Sequence, residues 1–253
     1  MKDNKFKLYF VAVKNFFNNL LFPEDIKCIF CGVDIPNFEE KPFCEECEKE
    51  ISFNRGDRCI ICAEPIGNEA MICDACQKNK RSFKRAFCPL IYDGLVRRAI
   101  LGYKDKNQRY LAKAFAKMIA KEIEEAKVFI DKITYIPLTK KKLRRRSFNQ
   151  SKLLAEHLAK VLNVPCVDVF EKTREGKVQK ESSFKERQEN MKGLFVLKKE
   201  ATFNKGEVVL IVDDIITTCA TVNYCASLLK DKVKDVYVCA VARNRRGESK
   251  IVK

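Results

Sequence analysis

The stretch EVVLIVDDIITTCATVNYCASLLK, residues 207–230, changes character twice. Val208 to Val212 is an unbroken, largely β-branched apolar run, the pattern of a strand buried on both faces of a parallel sheet. Asp213 and Asp214 end it, a hydroxyl-rich turn containing Thr217, Thr218 and Thr221 follows, and apolar residues then recur at helical spacing. Strand, loop and helix in that order put the turn at the carboxyl edge of a sheet, where ligands of α/β proteins collect. Backbone N–H groups and the positive end of the helix favour a phosphate there, supplemented by the hydroxyls of Thr217, Thr218 and Thr221. Two adjacent carboxylates are too costly to hold in a dry core, so Asp213 and Asp214 must face water, a cation or sugar hydroxyls. A ribose diol would use both; an acidic turn capping a helix is the plainer alternative.

Working outward, helix 107–127, strand 132–136, helix 149–162, strand 207–213, helix 220–230 and strand 235–242 alternate as a parallel sheet flanked by helices requires. Pro137, Leu138 and Thr139 follow a strand, and six of the seven residues at 140–146 are basic. A turn in that place can offer backbone N–H groups to pyrophosphate, assisted by Lys140, Arg144, Arg145 or Arg146, although a solvated basic face has the same pattern. Residues 173–192 are polar between two apolar segments and read as a flap over the ligand or as a plain loop. The single histidine, His157, falls on the flank of helix 149–162, leaving histidine-based chemistry little room.

Eight of the 13 cysteines form four C-x-x-C pairs, Cys28/Cys31, Cys44/Cys47, Cys59/Cys62 and Cys73/Cys76. Each pair supplies two thiolates on one knuckle, and loops of this length return a second knuckle to complete a tetrahedral site. Two structural zinc ions are expected, in preference to disulfides or iron–sulfur ligation, because the region has few large apolar residues to hold it together. Sequential pairing gives a double zinc ribbon and interleaved pairing a cross-brace; spacing leaves both open. The other cysteines, Cys88, Cys166, Cys219, Cys225 and Cys239, stand singly among apolar neighbours.

Charge follows the same division. Residues 23–80 hold 13 acids against 7 bases within a chain whose net charge is +16, so the rest is strongly basic and attracts polyanions, either nucleic acid or a small phosphorylated ligand. Residues 6–22 carry apolar side chains at helical spacing without a cleavage site, and Lys7 and Lys14 interrupt them. A short amphipathic helix is expected there rather than an export signal or a membrane span, and with it a cytoplasmic protein. Three parts result: an N-terminal helix at 1–22, a double zinc ribbon at 23–81 and an α/β body at 82–253.

VDDIITTCAT, residues 212–221, resembles the phosphoribosyl pyrophosphate motif of type I phosphoribosyltransferases. That resemblance implies that Asp213 and Asp214 bind the ribose hydroxyls, that Thr217, Thr218, Cys219, Ala220 and Thr221 surround the 5′-phosphate, and that Mg²⁺ accompanies the ligand. Pro137, the basic run and SFNQ at 147–150, together with Gln179, Arg187, Asn190, Phe195, Tyr92, Tyr103 and Lys104, match the ComF family of competence-associated proteins. The cysteine pairs ahead of a transferase-like body are that family's usual order. It adds Pro137, Leu138, Thr139, Arg146, Asn149, Gln150 and Arg187 to the implied ligand site. The implied function is phosphoribosyl transfer to an unidentified acceptor, linked to DNA uptake. The alternative is a non-catalytic, ligand-regulated module of the uptake machinery that contacts single-stranded DNA, with Phe148, Phe184 and Phe195 as candidate stacking rings, core packing being the favoured reading for Phe195.

Two positions depart from the family pattern: Ser147 and Cys219 stand where glycine is usual. A negative φ is expected at Cys219, as at an ordinary helix start, with its side chain turned inward beside Cys225 or Val222. Thr217 stands where purine-salvage relatives often place an acid, and a hydroxyl does not exchange protons near neutral pH.

Overall fold

A computed structural model describes residues 27–36, 41–67, 70–173 and 193–245. The N-terminal helix expected at 6–22, Gln179, Phe184, Arg187, Asn190 and nearly all of the expected flap lie outside the described residues. The chain divides into two compact units at Glu50/Ile51, between the second and third cysteine pairs.

The second unit is built on a parallel sheet. Ala86–Phe87 (β1), Lys132–Tyr135 (β3), Val208–Val212 (β6) and Asp235–Cys239 (β8) form four strands in the order β1-β8-β6-β3. Leu90–Ile91 (β2), Ile215–Ile216 (β7) and Ala242–Arg243 (β9) form a second parallel set in the order β2-β9-β7. Each of these short strands follows one of the long set after a gap of two residues, so three strands break at the same level of the sheet. Asp213 and Asp214 are the gap between β6 and β7. Backbone bonds bridge the break, from Asp213 N to Cys239 O at 2.9 Å and from Val241 N to Asp214 O at 3.2 Å. The expected strand 235–242 is therefore two strands. Phe170–Lys172 (β4) and Phe195–Leu197 (β5) make a separate antiparallel pair.

The helices are Glu45–Glu50 (α1) in the first unit, and Asp74–Lys78 (α2), Gly94–Asp105 (α3), Leu111–Glu125 (α4), Lys140–Arg146 (α5), Gln150–Leu162 (α6) and Ala220–Leu229 (α7) in the second. The expected helix 107–127 starts later, at Leu111, because Asn107 takes a left-handed φ of 57° after α3. α3 itself was not anticipated. α4 packs on α6, α6 lies against β3 and β6, and α7 lies against β5, β6 and β8. Val209, Ile211, Val236 and Val238 pack with Val222, Cys225, Ala226 and Leu229 of α7 in one apolar cluster. Burying such side chains contributes about 1.5–3 kcal/mol each, which drives α7 onto the sheet. Among the described residues no helix is long and apolar enough to cross a membrane.

Candidate phosphate site and metal centres

β3 and β6 are neighbours in register, with Tyr135 opposite Val212 and Ile136 N donating to Val212 O at 2.9 Å. The residues after both strands therefore emerge side by side at one sheet edge: Pro137, Leu138 and Thr139 from one, Asp213 and Asp214 from the other. Asp213 is half-buried. Its Oδ1 accepts from Ser151 Oγ at 3.0 Å and from Asp214 N at 2.8 Å. Burial and the neighbouring Asp214 charge push its carboxyl up to about 7, against the N–H donor, Lys104 and Ser151, which favour the charged form. Asp214 is held by Lys104, whose Nζ lies 2.9 Å from its Oδ1, both side chains being mostly buried. The acid pair thus has two unequal members, one whose carboxyl is pushed up by burial and its neighbour's charge and one held in an ion pair.

Thr217 is exposed, and Thr218, Ala220 and Thr221 are half-buried around a small concavity lined by Asp213 and residues 215–222. Asn223 N donates to Cys219 O at 2.8 Å, the first turn of α7, so the N-terminal amides of that helix lie beside the turn. Cys219 does not follow the expectation of a negative φ. It is left-handed, at φ 65° and ψ 4°, while its side chain does turn inward, buried in one apolar cluster with Val222, Cys225 and Cys62. Ser147, the other departure from glycine, is left-handed as well, at φ 65°, where it ends α5. Both positions call for the conformation that glycine adopts without strain.

Other predicted site residues have structural partners. Asn149 caps α6, accepting from Ser151 N and Lys152 N at 3.0 and 3.3 Å, while its Nδ2 donates to Ile136 O at 3.1 Å. Gln150 is buried; its Nε2 donates to Lys104 O at 3.3 Å and its own carbonyl accepts from Tyr103 Oη at 2.7 Å. Arg146 donates to Gln150 Oε1 at 3.3 Å and sits 3.6 Å from Asp105. Thr139 caps α5, accepting from Lys142 N at 3.3 Å. These contacts fasten α3, α5 and α6 behind the two loops. Phe148 and Phe195 are buried and do not serve as surface stacking rings; Tyr103 lies edge-on to Phe148, and Arg109 lies 4.6 Å from that ring. A cleft of about 990 Å³ opens between Pro137–Leu138, the start of α6 and the β4–β5 pair.

Three residues of the site were missed or left out of the ligand set. Lys104 carried a family match but no role. Ser151 gave no signal. Arg243 could have been found, because it is a lone charge closing the buried run 236–242. Its guanidinium is fully buried, with Nη1 donating to Ile216 O at 2.8 Å and to Thr217 O, and Nη2 paired with Glu64.

The cysteine pairs close sequentially. Cys28, Cys31, Cys44 and Cys47 form one cluster and Cys59, Cys62, Cys73 and Cys76 the other, each with its four sulfurs within 4.8 Å of one another. Cys31 to Cys44 is 3.7 Å and Cys62 to Cys73 is 3.6 Å. Four thiolates at about 2.3 Å from a tetrahedral zinc would stand about 3.8 Å apart, so both clusters fit the ion. The first knuckles repeat one geometry, with Gly32 at φ 78° and Ala63 at φ 56° in equivalent turns, closed by Gly32 N to Cys28 O and Ala63 N to Cys59 O, both at 2.9 Å. At Cys28 burial works against ionisation, but N–H donors of Cys31, Cys44 and Phe30 bring the thiol down to about 7.

A family model described as double zinc ribbon domain matches residues 17–77, and one described as phosphoribosyl transferase domain matches 149–253. Competence protein F of Haemophilus influenzae is 27% identical over 90% of this chain and 99% of its own length. Competence protein ComFC of Streptococcus pneumoniae is 28% identical over 86% of this chain and 100% of its own. The chain is similar to these competence proteins over most of its length. The DNA utilization protein YhgH of Salmonella typhi is a further relative, 27% identical over 74% of this chain and 83% of its own length. In this chain the residues that match the two models, and the four-cysteine clusters, occur in the order that the sequence implied.

Proposed function

We propose that the protein binds Mg²⁺-phosphoribosyl pyrophosphate and transfers the phosphoribosyl group to an acceptor. In this reading Thr217–Thr221 and the amides that open α7 hold the 5′-phosphate, Asp213 and Asp214 the ribose hydroxyls, and Pro137–Thr139 the pyrophosphate. The observation that carries it is the register of β3 and β6, which brings both loops out at one edge with the acid pair between them. Transfer breaks the bond from the anomeric carbon to pyrophosphate and forms one to the acceptor, through a sugar with oxocarbenium character. Mg²⁺ would stabilise the departing pyrophosphate. The chain's own residues contribute positioning and electrostatics: fixed amides and hydroxyls on the phosphate, and carboxylates near the developing positive charge. The cleft beside Pro137 offers a place for the acceptor. Thr217 leaves no acid for proton exchange with it, which favours an acceptor that needs little proton transfer.

The same threonine supports a second reading, in which the ligand is a signal and no transfer occurs. The names of the relatives, competence and DNA utilization proteins, point either activity toward DNA uptake. Both four-cysteine clusters hold structural zinc in either case. Calorimetric titration with phosphoribosyl pyrophosphate and Mg²⁺ tests the shared step, with a micromolar Kd expected, about −8 kcal/mol. Unchanged affinity after replacing both Asp213 and Asp214 by Asn would remove the ribose assignment. Acceptor-dependent release of pyrophosphate separates the enzyme from the sensor.

A further inference from the structure

The second four-cysteine cluster shares a core with the phosphate turn. All four of its cysteines are buried, and they belong to the same apolar cluster as Val209, Ile211, Val222 and Cys225. Two polar ties join the two, and Cys219 is buried in the same cluster as Cys62. Arg243 pairs with Glu64, two residues beyond Cys62, and donates to the carbonyls of Ile216 and Thr217. Asn223 Oδ1, on the first turns of α7, accepts from Ser82 N at 2.8 Å, just beyond the cluster.

These ties have a direction. In a planar trans peptide the N–H points opposite to the preceding C=O. Carbonyls of Ile216 and Thr217 drawn toward Arg243 therefore turn the amides of Thr217 and Thr218 away from it. Arg243 is fully buried, and a buried guanidinium keeps its place only while its carboxylate and carbonyl partners keep theirs. Glu64 lies on the Cys59–Cys62 knuckle, whose closure holds the four sulfurs together.

We propose that the second four-cysteine cluster, closed by its metal, positions the phosphate turn, with Cys219 and Arg243 as the residues that transmit its geometry to 216–220. This rests on the proposed ligand site at that turn and assigns it a second structural partner. The first cluster has no such part. Cys219 takes a conformation in which a residue with a Cβ is strained, and a buried sulfur in the core it shares with Cys62 is what that strained residue adds at this position.

The test uses the full chain and reads amide hydrogen exchange at 216–221, zinc content and Mg²⁺-phosphoribosyl pyrophosphate affinity together. Cys219→Ala removes the sulfur and keeps the Cβ, so two zinc equivalents should remain. Exchange at 216–221 should rise at least fivefold, while exchange in β3 and β6 stays within twofold. Cys219→Ser, which keeps a heavy atom beyond the Cβ, should restore most of the protection. Cys44→Ala, which opens the first cluster, should leave the turn within twofold of wild type. Cys73→Ala should accelerate exchange at the turn more than Cys219→Ala does; if that variant does not fold, the alanine and serine variants at 219 decide. Exchange at the turn unchanged in Cys219→Ala with zinc retained overturns the proposal. Affinity should fall about tenfold where exchange rises. Wild type without measurable affinity would instead remove the assigned ligand, and the exchange data would still decide the coupling.

Discussion

Asp213 is a carboxyl whose folded pKa lies above its unfolded one, and the sign of its effect on stability follows. Below about pH 4 it is protonated in both states and its contribution is fully present. From there to about pH 7 the unfolded chain releases a proton that the folded chain retains, so stability declines as pH rises and this contribution is gone above about pH 7. Asp213→Asn does not titrate. Melting series in urea from pH 5 to 8 should therefore show the variant gaining on wild type by an amount on the order of 1–3 kcal/mol, with the gain concentrated below pH 7.5. Asp214, Lys104 and Ser151 are the groups that face the carboxyl, and a difference that does not change with pH would mean that it stays ionised among them.

The two left-handed residues with side chains make a second pair of expectations. Ser147 ends a helix at φ 65°. Ser147→Gly should raise stability by about 1 kcal/mol, a gain of roughly 2–4 °C in Tm, since the relief exceeds what glycine adds to the unfolded chain's entropy. At position 219, glycine gives the same relief relative to alanine but also forgoes the buried sulfur. The Tm of Cys219→Gly should accordingly exceed that of Cys219→Ala by a similar margin, and equal values would argue against strain at this backbone.

At the scale of elements, the caps decide where the loops sit. Asn149 both caps α6 and bonds the carbonyl just before Pro137. Asn149→Ala should cost about 1–2 kcal/mol by urea denaturation, whereas Asn149→Asp keeps the cap acceptor and should recover most of it. A full loss in the aspartate variant would put the weight on the bond to Ile136 instead.

The legible elements share one property, a pattern carried by their own residues. Val208 to Val212 is apolar throughout because both faces are covered, and the acids and threonines beyond it announce the turn. The cysteine pairs needed only their spacing. What could not be read depends on partners distant in sequence. β1, β2, β7 and β9 are two residues each and exist because a neighbouring strand breaks at the same level. Helical periodicity from Ala220 suggests an ordinary start at Cys219, whereas its left-handed φ accompanies a side chain buried in a core that includes a knuckle more than 150 positions earlier. The motif marks Asn149 and Gln150 as ligand contacts and says nothing of the cap and the buried bonds to α3 and the turn before Pro137 that they also make.

For the whole molecule, metal analysis should find two zinc ions per chain, since each cluster brings four sulfurs to the spacing of a tetrahedral ion. The two should differ in what their loss does. Opening the first cluster should leave the cooperative unfolding of the unit from Ile51 onward in place, and opening the second should lower its Tm, because only the latter's cysteines lie in that unit's core. Equal effects on that transition would contradict the division at Glu50/Ile51.

β1 lies beside β8, some 150 positions later in the chain. Pairing of that kind is slow, because the intervening loop must close before any contact forms. It also sets an order of events during synthesis. Cys76 completes the second cluster long before α7, which covers it, has been made. At ribosomal rates of about 5–20 residues per second the interval is roughly 10–30 s. Four thiols therefore wait, uncovered, on a nascent chain. Metal captured in that interval closes the knuckle first, and the sheet then assembles against a finished template.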